Sequence, residues 1–362
     1  MDYSNAFQDQ ALCRALLDRL HASLDQPLRF MEVCGTHTVA IFQSGLRSLL
    51  PQGITHLSGP GCPVCVTHDS EVAAFLELAG KDGVIVATFG DLLRVPGPDR
   101  HSLKHAQAAG ARIEIVYSSL DALALARKNP GDTVVFLGVG FETTAPTVAA
   151  ALDMARNEGL KNFCVLSFHK LVPPALRFLL TDENCEIDAF LLPGHVSTVL
   201  GLAPYAFLAG EYRTPGIVAG FDPADILLAL CFMAEQRKNG TCDIVNAYRR
   251  AVSDSGNPVA RAMLEKVFVP TDALWRGIGR IPQSGLALAE EYSDFDALAR
   301  FGLCLSERPP LAACQCGAVL RGKISPPQCP LFGKACTPAQ PVGPCMVSTE
   351  GSCSAYYKYA DI

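Results

Sequence analysis

The sequence predicts an α/β protein with two similar parallel-sheet domains and a smaller, cysteine-rich C-terminal domain. Three observations lead there. Short apolar runs ending in glycine or polar loops recur along most of the chain, and helix-like segments separate them. Six of the fifteen cysteines then crowd between Cys314 and Cys353, among prolines and glycines. Continuous apolar strands alternating with helices mark sheets buried on both faces. With 362 residues, 49% hydrophobic and 18% charged, the chain is globular and long enough for two or three domains.

Taken in order, "MDYSNAFQDQALCRALLDRL" lacks the basic and apolar regions of a secretory signal. Leu12, Leu16 and Leu20, with Cys13 and Leu17, predict an amphipathic helix instead. Strands follow in "LRFMEVCG", "ITHLSG", "GVIVATFGD" and "ARIEIVYSS", then in "DTVVFLGVG", "NFCVLSFH", "AFLLPGH" and "GIVAGFD". Helices fall between them at Ser70 to Gly83 and Ala145 to Gly159. The two sets divide near Lys128 to Asp132, giving expected domains 1–128 and 129–268. Loose likenesses suggest a duplication: "CGTHTVAI" with "GFETTAPTVA", "GPGCPVC" with "PGHVSTV", and "TFGDLL" with "AGFDPADILLA". From Pro223 to Lys266 the pattern reads as helical, in "DILLALCFMAEQRKNG" and "DIVNAYRRAV". Periodicity fades after Pro270, so 269–362 forms the expected third domain.

A net charge of −6 without a basic block excludes a general affinity for nucleic acid or anionic membrane. The most apolar windows, such as "ILLALCFMA", are too short to span a bilayer. These features predict a cytoplasmic protein, where thiols stay reduced. Fifteen cysteines in that compartment point to metal or redox chemistry before structural disulfides.

The chemistry gathers at predicted strand ends, where open parallel sheets bind ligands. "MEVCGTHT" sets Cys34 just after a strand, where free backbone N–H groups and a helix N-terminus favour thiolate, and His37 could add a second ligand. An unremarkable packed cysteine is the plainer alternative. "GPGCPVCVTHD" places Cys62 and Cys65 in a CxxC, which suits a reversible disulfide or two thiolates on one metal. "GVGFETT" is not a dinucleotide fingerprint and no phosphate-binding P-loop motif occurs. His195 in "PGHVST", Asp91 and Arg94 in "TFGDLLRVPG", and Glu350 in "STEGSC" fit structural and functional roles equally. Cys13, Cys164, Cys185, Cys231, Cys242 and Cys304 lie in apolar or helical runs and read as packing residues.

In the tail, only Cys314 and Cys316 are close; Cys316, Cys329, Cys336, Cys345 and Cys353 are separated by 12, 6, 8 and 7 residues. Structural zinc usually takes two close pairs, whereas a cubane cluster joins four sulfurs over a wider footprint. The spacing favours a cluster and leaves zinc open.

Together, "MEVCGTHT", "GPGCPVCVT", "TFGDLLRVPG", "GFETTAPT", "LPGHVSTVLG" and "CPLFGKACTPAQPVGPCMVSTEGSCSAYY" closely resemble the hydrogenase maturation factor HypD family over nearly the whole chain. The family's C-x12-C-x6-C-x16-C pattern falls on Cys316, Cys329, Cys336 and Cys353 and skips Cys314 and Cys345, which implies a [4Fe-4S] cluster there. The resemblance further implies a scaffold on which the Fe(CN)2CO group of [NiFe]-hydrogenases is assembled. A small HypC-type chaperone would share the iron, and a HypE-type protein would donate cyanide as a cysteine thiocyanate. It implies Cys34 as the principal iron thiolate, with Cys62 and Cys65 as further essential thiols. Where many members carry a second histidine this chain has Val39, so only His37 can serve locally. Releasing cyanide from a thiocyanate requires two electrons, which a CxxC dithiol holds; recharging of Cys62–Cys65 by the cluster is the expected sequence.

The leading reading is an assembly scaffold with a redox role rather than a free-standing enzyme. An iron–sulfur-fed thiol–disulfide oxidoreductase accounts for the CxxC and the tail but gives Cys34 no task. A zinc-stabilised interaction module accounts for the tail alone. The scaffold reading requires the sulfurs of Cys34, Cys62 and Cys65 to meet in one cleft, apart from the tail's own sulfur site.

Overall fold

The structure is a computed structural model that describes residues 9–182, 185–305 and 313–360; the first eight residues and the 306–312 part of the expected third domain lie outside them. Eleven strands are described. β1 (Leu28–Glu32), β2 (Ile54–Ser58), β7 (Ala189–Pro193), β8 (Gly216–Ala219) and β9 (Ile244–Asn246) form a parallel sheet ordered β2-β1-β7-β8-β9. β3 (Val84–Thr88), β4 (Ile113–Ile115), β5 (Thr133–Gly138) and β6 (Phe163–Ser167) form a second parallel sheet ordered β4-β3-β5-β6. β3 and β7 are buried at every residue, as continuous apolar runs require when helices cover both faces. The expected α/β class and its two parallel sheets are therefore present.

The sheets do not follow the expected division into 1–128 and 129–268. That boundary falls inside the four-stranded sheet, between β4 and β5, and the larger sheet unites β1 and β2 with β7, β8 and β9. Apart from the edge strand β9, each half of the chain thus gives two strands to each sheet. Exchanging β1–β4 with β5–β8 turns the order β2-β1-β7-β8 into β6-β5-β3-β4, the smaller sheet read backwards. The internal likeness is topological and interleaved, so the equivalent loops follow β1 and β5, β2 and β6, and β3 and β7. Only the pairing of "CGTHTVAI" with "GFETTAPTVA" matches this; the other two suggested pairs are one strand out of step. Hydrophobic runs locate strands, but strand partners are chosen by long-range packing that no local pattern encodes.

The helices Gln10–Ser23 and Pro223–Asn239 pack together over the larger sheet through Leu16, Leu20, Leu227 and Leu230. "DIVNAYRRAV" is not helical; it holds the short edge strand β9. Beyond it, β10 (Phe268–Trp275) and β11 (Gly279–Leu288) form an antiparallel hairpin that the fading periodicity concealed. Its tip reaches behind the CxxC segment: Trp275 is fully buried and bridges to Thr67, and the Arg276 N–H donates to the Val66 carbonyl at 2.9 Å.

The hairpin tip also touches the tail. Gly277 (φ 69°) meets Gly317, in the helix Cys316–Leu320, so closely that a Cβ on Gly317 would lie 2.3 Å from the Gly277 carbonyl oxygen. No side chain fits there. Gly317→Ala should force the tail off the hairpin and lower the melting temperature by several degrees, at a cost on the order of 1–3 kcal/mol. Gly131→Ala, with open space around its Cβ, should leave the melting temperature unchanged; equal effects would contradict the packing described.

Candidate functional site

A cleft of about 260 Å³ lies beyond the carboxyl ends of strands from both sheets. It is lined by Cys34 after β1, Gly61 and Pro63 after β2, Phe89 and Asp91 after β3, Gly140 to Thr144 (except Glu142) after β5, and His195 after β7. Glu350 enters from the tail. Nearly every motif singled out in the sequence thus meets at one place.

Cys34 has extended backbone (φ −151°) and caps the helix Gly35–Gln43. The Cys34 N–H donates to Glu32 Oε2 at 3.0 Å, and Thr38 Oγ1 donates to Glu32 Oε1 at 2.6 Å. The buried Glu32 carboxylate therefore fixes the loop from behind. The next loop braces it from the side: the Gly35 N–H donates to the Gly61 carbonyl at 2.9 Å, and a Cβ on Gly61 would lie 2.1 Å from Cys34 N. Glycine at position 61 is what permits this approach, while a Cβ on Gly35 would instead lie 2.5 Å from Glu350 Cβ. From the tail, Glu350 Oε1 accepts a hydrogen bond from Thr36 Oγ1 at 2.8 Å.

Burial first, with the Glu350 and Glu32 carboxylates adding to it, pushes the Cys34 thiol up to about 12, against the helix N–H groups of His37 and Thr36. Without a cation the sulfur is a thiol at neutral pH. Carboxylates and oriented N–H groups around it suit a bound cation that replaces the proton.

His37 does not face the cleft. Its Nε2 meets the Gly220 carbonyl at 2.9 Å, its ring packs on Phe221, and burial holds its pKa at about 4. The expectation of His37 beside the Cys34 sulfur is thus not met, because three residues into the helix its side chain turns toward the end of β8. The imidazole lining the cleft is His195, stacked on the other ring contact of Phe221 at 4.1 Å.

Cys62 caps the short helix Pro63–Val66 and its Sγ accepts the Cys65 N–H at 3.3 Å. Neither cysteine lines the cleft. Cys65 is fully buried in one apolar cluster with Cys62, Cys316 and Cys345, against which Cys314 and Cys353 pack; burial first, then the Cys345 and Cys62 thiols, raises its pKa well above normal. All six are free thiols, and the cluster runs from the CxxC into the tail. Of the three strand-end cysteines, Cys34 lines the cleft and Cys62 and Cys65 do not, although their loops adjoin. Cys345 and Cys314, which the family pattern skips, went unassigned because spacing in sequence says nothing of a contact with a loop 280 positions earlier.

Deeper in the tail, Cys336 lies in an apolar cluster with Val342 and Met346, against which Cys314, Phe332 and Cys353 pack. Its sulfur accepts the Val342 N–H at 3.3 Å. Cys329 is half-buried at the end of the turn Pro326–Gln328. Among the described residues, no three His, Cys, Asp or Glu side chains stand in metal-holding geometry. The donor set, four thiols on glycine- and proline-rich loops with an amide aimed at one sulfur, fits an iron–sulfur group in its chemistry.

Fold and site define a class: an α/β protein that presents one cleft thiol alongside a buried cluster of thiols. A family model for HypD, described as "Hydrogenase formation hypA family", matches residues 11–360. The chain is 44% identical to the hydrogenase maturation factor HypD of Rhodobacter capsulatus, over 99% of this chain and 98% of that protein. It is 45% identical to the Escherichia coli hydrogenase maturation factor HypD, over 96% and 93%. A putative hydrogenase expression/formation protein of Methanocaldococcus jannaschii is 41% identical, over 98% and 99%. The chain belongs to the HypD family of hydrogenase maturation proteins. Among the described residues, no helix is long and apolar enough to cross a membrane.

Behind the cleft, Glu142 of "GFETT" is buried; its Oε1 accepts the Val172 N–H at 2.8 Å and its Oε2 has no hydrogen-bond partner. Burial raises its pKa from 4.5 to about 7. The folded state thus holds this proton more tightly than the unfolded chain does. The associated stability is full below pH 4.5 and is lost as pH rises through about 7, by up to about 3 kcal/mol. Glu142→Gln should flatten the dependence of melting temperature on pH between 4.5 and 7. An unchanged slope would contradict a neutral Glu142 in the folded protein.

Proposed function

We propose that this chain is a redox-active scaffold for assembling the Fe(CN)2CO group of [NiFe]-hydrogenases, working in the cytoplasm with a HypC-type chaperone and a HypE-type cyanide donor. One observation carries the reading: Cys34 opens into a cleft built from five strand ends and Glu350, while the Cys62–Cys65 dithiol lies on the adjoining loop.

The iron is cargo. Cys34 exchanges its proton for the metal, and the N–H groups of Thr36 and His37 stabilise the resulting thiolate. Soft thiolate ligation suits low-spin iron with strong-field ligands. Asp91, His195 and Glu350 line the same cleft and supply polar groups to the cargo or to the chaperone's part of the site.

Cyanide arrives bonded to a donor's cysteine sulfur. Breaking that S–C bond to give cyanide takes two electrons and leaves the donor thiolate. Oxidation of Cys62 and Cys65 to a disulfide supplies two electrons and releases two protons, one of which reprotonates the donor. Cys345 links this dithiol to the tail within one buried cluster. Cys316, Cys329, Cys336 and Cys353 would hold the [4Fe-4S] group, which supplies single electrons when bound.

The clustering of Cys65 with Cys345 also favours a second reading, an iron–sulfur-fed thiol–disulfide oxidoreductase, in which Cys34 is idle. Anaerobic purification with the chaperone separates the two. The scaffold carries extra iron with infrared bands of cyanide and carbonyl, and Cys34→Ser removes both. An oxidoreductase shows neither. In Cys62→Ser, cyanide bands should vanish while the tail's visible absorption persists; simultaneous loss of both would make the dithiol structural. Cys345→Ala should still load cyanide once per protein and fail in repeated turnover, and undiminished turnover would remove Cys345 from the path.

A further inference from the structure

The scaffold reading leaves the electron source outside the chain, and it must be a reductant able to reach the tail. A groove of about 710 Å³ lies between the segment 94–108 and the tail segment 335–342. One wall carries Arg94, Arg100, Lys104 and His105, all exposed; the other carries Pro338 and Val342 of the tail. Among the described residues, no carboxylate lines it. The Val342 wall is thin: its own N–H donates to Cys336 Sγ at 3.3 Å, so a buried sulfur lies one hydrogen bond behind the groove. Arg94 ties the two walls, donating to the Val347 carbonyl at 3.5 Å.

The loop bearing Arg100 is held in an unusual shape. Asp99 (φ 57°) and Arg100 (φ 61°) are consecutive non-glycine residues in the left-handed region. The loop is closed by the Gly97 N–H donating to the His101 carbonyl at 2.7 Å. Such strain persists where the surroundings enforce it and clusters at binding surfaces. In a chain of net charge −6, three exposed cations with no lining carboxylate form a local positive patch. That patch orients an acidic partner that the whole chain would otherwise repel.

We propose that this groove is the docking surface for an acidic one-electron carrier protein that reduces the thiol system through the tail. The inference rests on the scaffold reading. Two successive reduced carriers each give up one electron, and with two protons these return a Cys62–Cys65 disulfide to the dithiol.

The test uses the full chain, purified anaerobically, and a strongly acidic ferredoxin as probe. Calorimetric titration at low ionic strength should show binding that weakens steeply with salt. The double variant Arg100→Glu/Lys104→Glu should bind about tenfold or more weakly and lose most of the salt dependence. Arg100→Gln/Lys104→Gln should fall between, and circular dichroism melts should match the wild type for both. With reduced ferredoxin as the only reductant, the charge-reversed protein should load cyanide slowly; with dithionite it should load at the wild-type rate. Wild-type binding and ferredoxin-driven loading in the charge-reversed protein would overturn the proposal. Wild-type protein that fails to load even with dithionite would defeat the scaffold reading and leave the binding result standing.

Discussion

The structure depends on one close approach, the contact between the loop after β1 and the loop after β2. Gly61 lies so near Cys34 that no side chain fits between them, and the Gly35 N–H closes the junction onto the Gly61 carbonyl. Parallel neighbours in one sheet deliver both loops to the same edge, since β1 and β2 pair in register from Leu28 with Ile54 to Glu32 with Ser58. The junction sets the cleft thiol and the dithiol on adjoining loops, with only Cys34 in the cleft lining.

The tail completes both faces. Toward the front, Glu350 bonds Thr36 and packs on Gly35, so the tail supplies part of the cleft lining. Toward the back, the turn Pro344–Met346 packs on the helix Pro63–Val66, which puts Cys345 and Cys65 in one buried cluster. A Cβ on Gly351 would lie 2.2 Å from the Cys345 carbonyl oxygen, so the backbone of "GPCMVSTEGSC" is folded tightly enough for residues five apart to serve opposite faces. The hairpin tip is the brace: Arg276 is hydrogen-bonded through its backbone to Val66 and ion-paired with Asp69 at 2.7 Å, and Gly277 presses on Gly317. Order in the tail and order in the cleft are one property of this fold.

The fold class was legible because buried parallel strands advertise themselves as apolar runs, and all eight expected runs are strands. Their partnership was not legible, since any parallel strand of similar length can pair with any other; the interleaving of two half-chains is a long-range choice. The hairpin was hidden by Pro270, by the bulge between Thr271 and Ala273 and by the glycines at its turn, which blur alternation. At the site, residues on strand-end loops were readable because the sheet fixes where such loops go: Cys34, Asp91, His195 and Glu350 all reach one cleft. His37 was misjudged because proximity in sequence to Cys34 says nothing of rotation about the helix axis. Cys345 escaped because its partner, Cys65, comes from the other end of the chain.

The central claim is that Cys34 lines the cleft while Cys62 and Cys65 are buried outside it, in one cluster with tail cysteines. Disulfide mapping after stoichiometric oxidation of the metal-free protein tests it most directly, with denaturing alkylation followed by mass spectrometry. The account predicts bridges confined to Cys62, Cys65, Cys345 and the tail cysteines, with Cys34 recovered as the alkylated free thiol. A bridge from Cys34 to Cys62 or Cys65 would contradict it.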